Sequence, residues 1–285
     1  MNKRIKNAVI CGLVALVTFV NSVSMMKSQK QAATTTYNQD KVKSNIYAQA
    51  KVVWDIEADI TVSEKSDKTV SYKKNTWYQG MPYTQLADYS LKDFASCCCM
   101  HNVQRSKVTE TNLLSRSYLV QIDLRKFDGC KNLRIGNDCS TAVAVAWRSC
   151  NNSLRIEDID TSTFLSCAKS GSYSTYHLKT VGGYSIGSYT DTKSFLSKNE
   201  NKSIIKNCYA KLKIGDAVFY RSGGKGHAMM VVATGSNCVY VIEQCGLSDK
   251  RTVQRTSWEV EKKYTYDDLI KSGYLPIYST DVRKS

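Results

Sequence analysis

A thiol, an imidazole and a carboxylate stand in this chain where together they could carry out nucleophilic acyl chemistry. The thiol is Cys139, in the run Gly136-Asn137-Asp138-Cys139-Ser140-Thr141. Behind it Val143, Ala146, Trp147 and Cys150 recur at helical spacing. Asn137 or Asp138 can cap that helix, which places Cys139 in or beside its first turn. Unpaired N–H groups and the positive end of the helix dipole stabilise a thiolate there and arm it as a nucleophile. A buried cysteine on an apolar helix is the plainer account, since free cysteine is among the most buried residue types. A histidine and an acid further along the chain weigh against it.

A thiolate nucleophile needs a general base within hydrogen-bond reach, and the base needs a third group to orient it. His227 is the best base, because it opens a strand straight after the glycine-rich stretch 221–226. Glu243 ends the neighbouring strand, and the intervening turn returns it level with His227. Gln244 is the competing orienter, since adjacent strand residues face opposite ways and one residue of slip exchanges them. His101 and His177 sit in polar, aperiodic surroundings and read as surface residues. The Cys97-Cys98-Cys99 run lacks zinc-ligand spacing, and the three histidines offer no matching set. No metal or other cofactor is called for.

The elements that must position these groups follow from pattern. Asp40 can cap a helix through Val42, Ile46, Ala50 and Val53. Residues 54–62 then alternate apolar and polar as a half-exposed strand, and 63–74 reads as a charged loop. Gly80 and Pro82 mark a turn between Trp77-Tyr78 and Tyr83. Ser90 to Asp93 resembles a capping box opening a short helix, and 118–124 reads as a strand. Residues 151–207, rich in Ser, Thr, Gly and Tyr, read as an insertion of loops and short elements over the surface. Strands at 217–220, 227–234 and 238–244 form an antiparallel meander. A second capping box at 265–268 opens a helix that Gly273 ends. A last strand at 274–278 carries Pro276, which argues for a sheet edge. Helices followed by clustered antiparallel strands predict an α+β fold.

The chain has 285 residues and a formal net charge of +15. Lys3, Arg4 and Lys6 precede a short apolar run from Ala8 to Val20, then small residues at Ser22 and Ser24. That pattern predicts a secretory signal over 1–24, too short for a comfortable membrane span. A flexible polar leader follows over 25–39, and one domain over 40–285. Cleavage would remove three basic side chains, lowering the charge to about +12. A basic exported protein favours anionic surfaces such as cell-wall polymers. Its Lys and Arg residues are scattered, with no basic helix or aromatic-interleaved stripe, which argues against nucleic acid. No second span of membrane length follows, and a secreted, wall-associated monomer is expected. Export permits disulfides among the ten cysteines left, though spacing does not give their connectivity.

These residues together resemble the NlpC-like cell-wall peptidases, a papain-like clan that includes the CHAP amidases. The resemblance rests on Asp138-Cys139-Ser140 opening a helix, Gly215-Asp216-Ala217-Val218 entering a strand, and His227 beginning the next. Gly80-Met81-Pro82-Tyr83 resembles that family's entry motif, and Val241-Ile242-Glu243-Gln244 is similar to the CHAP pattern. The match runs from about Trp77 to Gln244. It implies a papain-like α+β fold with the nucleophile helix packed on a small antiparallel sheet. It also implies peptidoglycan stem peptides as substrate, a catalytic triad of Cys139, His227 and Glu243, and a substrate pocket near Tyr83, Asp138, Ser140 and Gln244. Backbone N–H groups at the helix start would bind the oxyanion. The chain departs from the family at Thr141, where a glycine is usual, and at Thr84-Gln85-Leu86 after Pro82-Tyr83. The long middle section is a third departure.

Overall fold

The computed structural model describes residues 36–63, 69–100, 106–115, 119–123, 125, 134–248 and 255–284. The expected signal, most of the leader, His101 and Cys130 lie outside the described residues.

A helix over 36–51, α1, leads into β1 (Val53–Ile56), β2 (Ile60–Ser63), β3 (Thr69–Tyr72) and β4 (Tyr78–Gln79). Next come α2 (Leu91–Ser96), β5 (Cys98–Met100), α3 (Glu110–Leu114), β6 (Leu119–Ile122) and α4 (Cys139–Arg148). The middle holds α5 (Thr161–Ser170), β7 (Ser172–Tyr173), β8 (Leu178–Thr180), α6 (Thr192–Leu196) and α7 (Asn199–Tyr209). The chain closes with β9 (Ala217–Ser222), β10 (Lys225–Thr234), β11 (Cys238–Ser248), β12 (Arg255–Thr265), α8 (Tyr266–Ser272) and β13 (Leu275–Ser279).

The fold is α+β, but its sheet is neither small nor wholly antiparallel. Eleven strands run in the order β5-β6-β1-β4-β12-β11-β10-β9-β13-β8-β7. The pairs β1–β6 and β4–β12 are parallel, and through β4 the first part of the chain docks on the late strand β12. The expected meander β9-β10-β11 forms the middle of this sheet. Helix α4 packs across β10 and β11. All its residues from Cys139 to Trp147 are buried, as for a helix covered on every side.

Four sequence expectations need correction. The strand expected over 54–62 is broken at Glu57–Asp59, and its second half joins β3 in a separate two-stranded sheet. The Asp59 carboxylate accepts the Lys74 N–H at 2.9 Å and Lys73 Nζ at 3.0 Å, which turns the chain there. The charged loop over 63–74 therefore contains a strand, β3. The section 151–207 is not a surface covering: Phe164, Cys167, Ala168, Leu196 and Ile205 are core residues, and β8 pairs with β13. Its frequent Ser, Thr and Asp act as helix caps, Asp160 for α5 and Asp191 for α6. Last, β13 is interior rather than an edge. Pro276 is tolerated because its missing N–H lies on the β8 side, just past the last paired residue, Thr180. Its carbonyl there accepts the Val181 N–H at 3.1 Å.

Candidate active site

Helix α4 begins where sequence placed it. Asp138 is the N-cap, with extended backbone and one carboxylate oxygen accepting the Ser140 and Thr141 N–H groups, both at 2.9 Å. Cys139 is thus the first helical residue, and it is 7 % exposed. Its approach is fixed by the entry turn. Asn137 N donates to the Pro82 carbonyl, Thr84 N donates to the Asn137 carbonyl, and Tyr83 bridges to Asn137. Gly136 has φ +128°, and a Cβ there would sit 2.0 Å from the Pro82 oxygen, so only glycine fits. At the far end of α4, Trp147 Nε1 donates to the Gly215 carbonyl at 2.7 Å. The Gly215-Asp216 motif is itself structural: buried Asp216 accepts Arg283 Nε at 2.9 Å and the Lys213 N–H at 2.6 Å.

His227 is the third residue of β10, which begins two residues before the strand start read from sequence. Met230 pairs with Ile242, so His227 and Glu243 lie at odd offsets from an opposed pair and share a face. Glu243, 4 % exposed, meets His227 Nε2 through Oε2 at 2.6 Å. Cys139 acts on the same ring and is among the groups that raise its pKa. Burial disfavours the charged imidazolium, yet hydrogen bonding and charge from Cys139 and Glu243 outweigh it and raise the His227 pKa to about 10. Glu243 moves the other way. Burial would raise its pKa, but His227 and then Lys262 lower it to about 2. Cys139, His227 and Glu243 therefore come together at one site, with His227 and Glu243 hydrogen-bonded.

Gln244 is not the orienter. It is 1 % exposed, faces the other side of the sheet, and donates to the Met81 and Pro82 carbonyls at 3.0 and 3.1 Å. The expectation that it binds substrate is corrected with it, because its amide holds the entry turn from beneath. Ser140 is also corrected. It is 3 % exposed, and its hydroxyl donates to Asp138, so it serves the helix start. Tyr83 stays partly exposed, with its hydroxyl accepting from Gln85 Nε2 at 3.1 Å, and Asp138 is partly exposed as well. Thr141, standing where the resembled family has glycine, donates to Asp88 at 2.7 Å. His177 is no free surface residue, since its Nδ1 faces buried Asp281 at 2.9 Å.

Two parts of the site were missed in sequence. The first is β12, whose Tyr264 hydroxyl and Lys262 Nζ reach Glu243 Oε1 at 2.9 and 3.0 Å. Trp258, Val260 and Tyr264, alternating just before a capping box, were the available signal. The second is the start of α5, where a Cβ on Gly226 would strike Thr161 Oγ1 at 2.2 Å. The middle section thus abuts the residue before His227. Tyr274 and Tyr220 complete an aromatic wall, with the Tyr274 ring 6.5 Å from His227 and 5.2 Å from Tyr220.

Among the described residues, no group of three or more His, Cys, Asp or Glu side chains is placed to hold a metal ion. The nine described cysteines are free thiols, and no described helix is long and apolar enough to cross a membrane. No protein-family model, curated protein or solved structure matches the chain.

Proposed function

We propose that this chain is a cysteine peptidase or amidase with a papain-like arrangement, cleaving amide bonds in peptidoglycan stem peptides. The observation that carries the reading is the buried site in which Glu243 Oε2 meets His227 Nε2 at 2.6 Å while Cys139, at the start of α4, acts on the same ring. His227 holds the proton of the Cys139 thiol, and the sulfur attacks the amide carbonyl. Asp138 occupies the Ser140 and Thr141 N–H groups, which leaves the Cys139 N–H as the helix-start donor for the oxyanion. His227 then protonates the leaving amine as the tetrahedral intermediate collapses to a thioester. Deprotonated again, it takes a proton from water, which adds to the thioester carbonyl and releases the acid. Glu243 keeps the ring oriented through both steps.

The substrate class rests on the resemblance to the NlpC-like and CHAP enzymes and on the charge. A net charge of +15 favours an anionic wall, with weaker attachment at high salt. Export, a wall-associated location and a monomeric state belong to the same proposal. The test is incubation of the protein with purified peptidoglycan and determination of product masses. A fragment gaining one water at a stem-peptide amide supports the reading. Transfer of an acyl group, or release of ammonia from a side chain, would assign the scaffold to an acyltransferase or deamidase. Binding without any mass change would leave a wall-binding protein.

A further inference from the structure

Only one oxygen of Glu243 meets His227. The other, Oε1, accepts the Tyr264 hydroxyl and the Lys262 ammonium, and that ammonium also lies 5.1 Å over the Tyr264 ring. Both groups come from β12, and simple alternation would turn them away. Gln244 pairs with Trp258 but Val241 pairs with Lys262, so three steps on β11 span four on β12. The extra residue is a bulge at Glu261, which adopts φ +58° and accepts the Tyr47 hydroxyl. The bulge flips the parity of everything after it. Lys262 and Tyr264 thereby share the face of Glu243 instead of the face of Trp258 and Gln244.

We propose that Lys262 and Tyr264 are positioning residues of the Cys139–His227–Glu243 site, acting through Glu243. Tyr264 aims the carboxylate, and Lys262 takes up part of its charge so that His227 can release its proton. The inference rests on the nucleophile–base reading above. A histidine with a carboxylate on one side and a sulfur on the other is held as a cation, and a cation held too firmly is a poor acid for the leaving amine. A positive charge beyond the carboxylate works against that hold. The charged and titratable groups around the ring are Cys139 from α4, Glu243 from β11 with Glu259 opposite it, and Lys262 and Tyr264 from β12. Tyr220 and Tyr274 contribute phenols on the remaining side. Among the described residues, Lys262 is the cation placed on Glu243 besides His227.

The test is the pH dependence of Cys139 alkylation by iodoacetamide, which needs no substrate. Lys262→Met should move the alkaline step, where His227 loses its proton, upward by about half a pH unit or more. Lys262→Arg should restore the wild-type position, and Tyr264→Phe should move the step less, because it removes a hydrogen bond and no charge. Lys262 is 41 % exposed, and Lys262→Gln repeats the measurement with a polar replacement. Melting curves check that each variant is folded. A folded Lys262→Met or Lys262→Gln whose step stays put or moves down overturns the proposal, as does an Arg variant that behaves like Met. Wild-type protein that shows the alkylation profile but leaves peptidoglycan intact overturns the substrate assignment alone.

Discussion

His227 Nε2 and Glu243 Oε2 lie 2.6 Å apart, which leaves Nδ1 as the ring nitrogen that Glu243 does not occupy. The carboxylate therefore fixes which nitrogen exchanges protons with Cys139. Glu243→Gln keeps the shape and removes the charge. It should lower kcat by about tenfold or more and move the histidine limb of the pH–rate profile to lower pH. Gln244→Ala should cost about 1–3 kcal/mol of stability through the two hydrogen bonds lost to the Met81 and Pro82 carbonyls, with much less effect on kcat per folded molecule. If the alanine variant is the crippling one and the glutamine variant turns over normally, the roles given to these neighbours are reversed.

Iodoacetamide at neutral pH should label Cys139 ahead of the other thiols, with loss of turnover in proportion. Burial pushes the Cys98 and Cys150 thiols up, and Cys167 to about 12, so these react slowly. Cys139→Ala should fold and melt nearly as the wild type while losing activity. Peptide mapping after partial alkylation reads the order, and even labelling with activity retained would remove Cys139 from the mechanism.

Stability should follow the same two groups. His227 has a folded pKa of about 10 against an ordinary 6.5, so its contribution is complete below about 6.5 and is lost as pH rises toward 10. Glu243 has about 2 against 4.5, so its contribution is complete above 4.5 and is lost as pH falls toward 2. The difference in Tm between wild type and Glu243→Gln should therefore be greatest between about pH 4.5 and 6.5. Thermal melts across the range measure it directly. A difference that is flat with pH would show that the pair adds no charge-dependent stability.

Gly136→Ala should be more damaging than its size implies. The new methyl meets the Pro82 carbonyl, and the backbone sits where side chains are strained. A loss of about 2 kcal/mol or more is expected in denaturant unfolding, together with slower Cys139 alkylation in the folded fraction. A variant with wild-type Tm and reactivity would show that the entry turn can shift without disturbing the nucleophile.

The nucleophile helix was readable because its signals are local: a capping aspartate, an unbroken apolar run and a cysteine between them. The hairpin carrying His227 was readable for the same reason, through its glycines and alternation. The choice between Glu243 and Gln244 was not, because it depends on register, and register is set by pairing with strands far away in sequence. Lys262 and Tyr264 were hidden more deeply. A single bulge at Glu261 reverses which way they face, and nothing in the residue types around it announces an extra residue. The middle section misled because its polar residues look like loop composition, whereas Asp160 and Asp191 cap helices whose other faces are buried. Pro276 misled because a missing N–H was taken to need a sheet edge, when the end of a neighbouring strand serves equally.

The parallel pairing of Tyr78 and Gln79 with Arg255 and Thr256 has a consequence for the order in which the molecule is made. The strand that brings Lys262 and Tyr264 to Glu243 is also the strand on which the beginning of the chain must dock. A growing polypeptide that has passed Cys139, His227 and even Glu243 still lacks the strand that joins β4 to β11 and the outer support for the carboxylate. Contacts so distant along the chain form late and slowly. Until the residues near 265 are available, the thiol, the ring and the acid exist without the frame that aligns them.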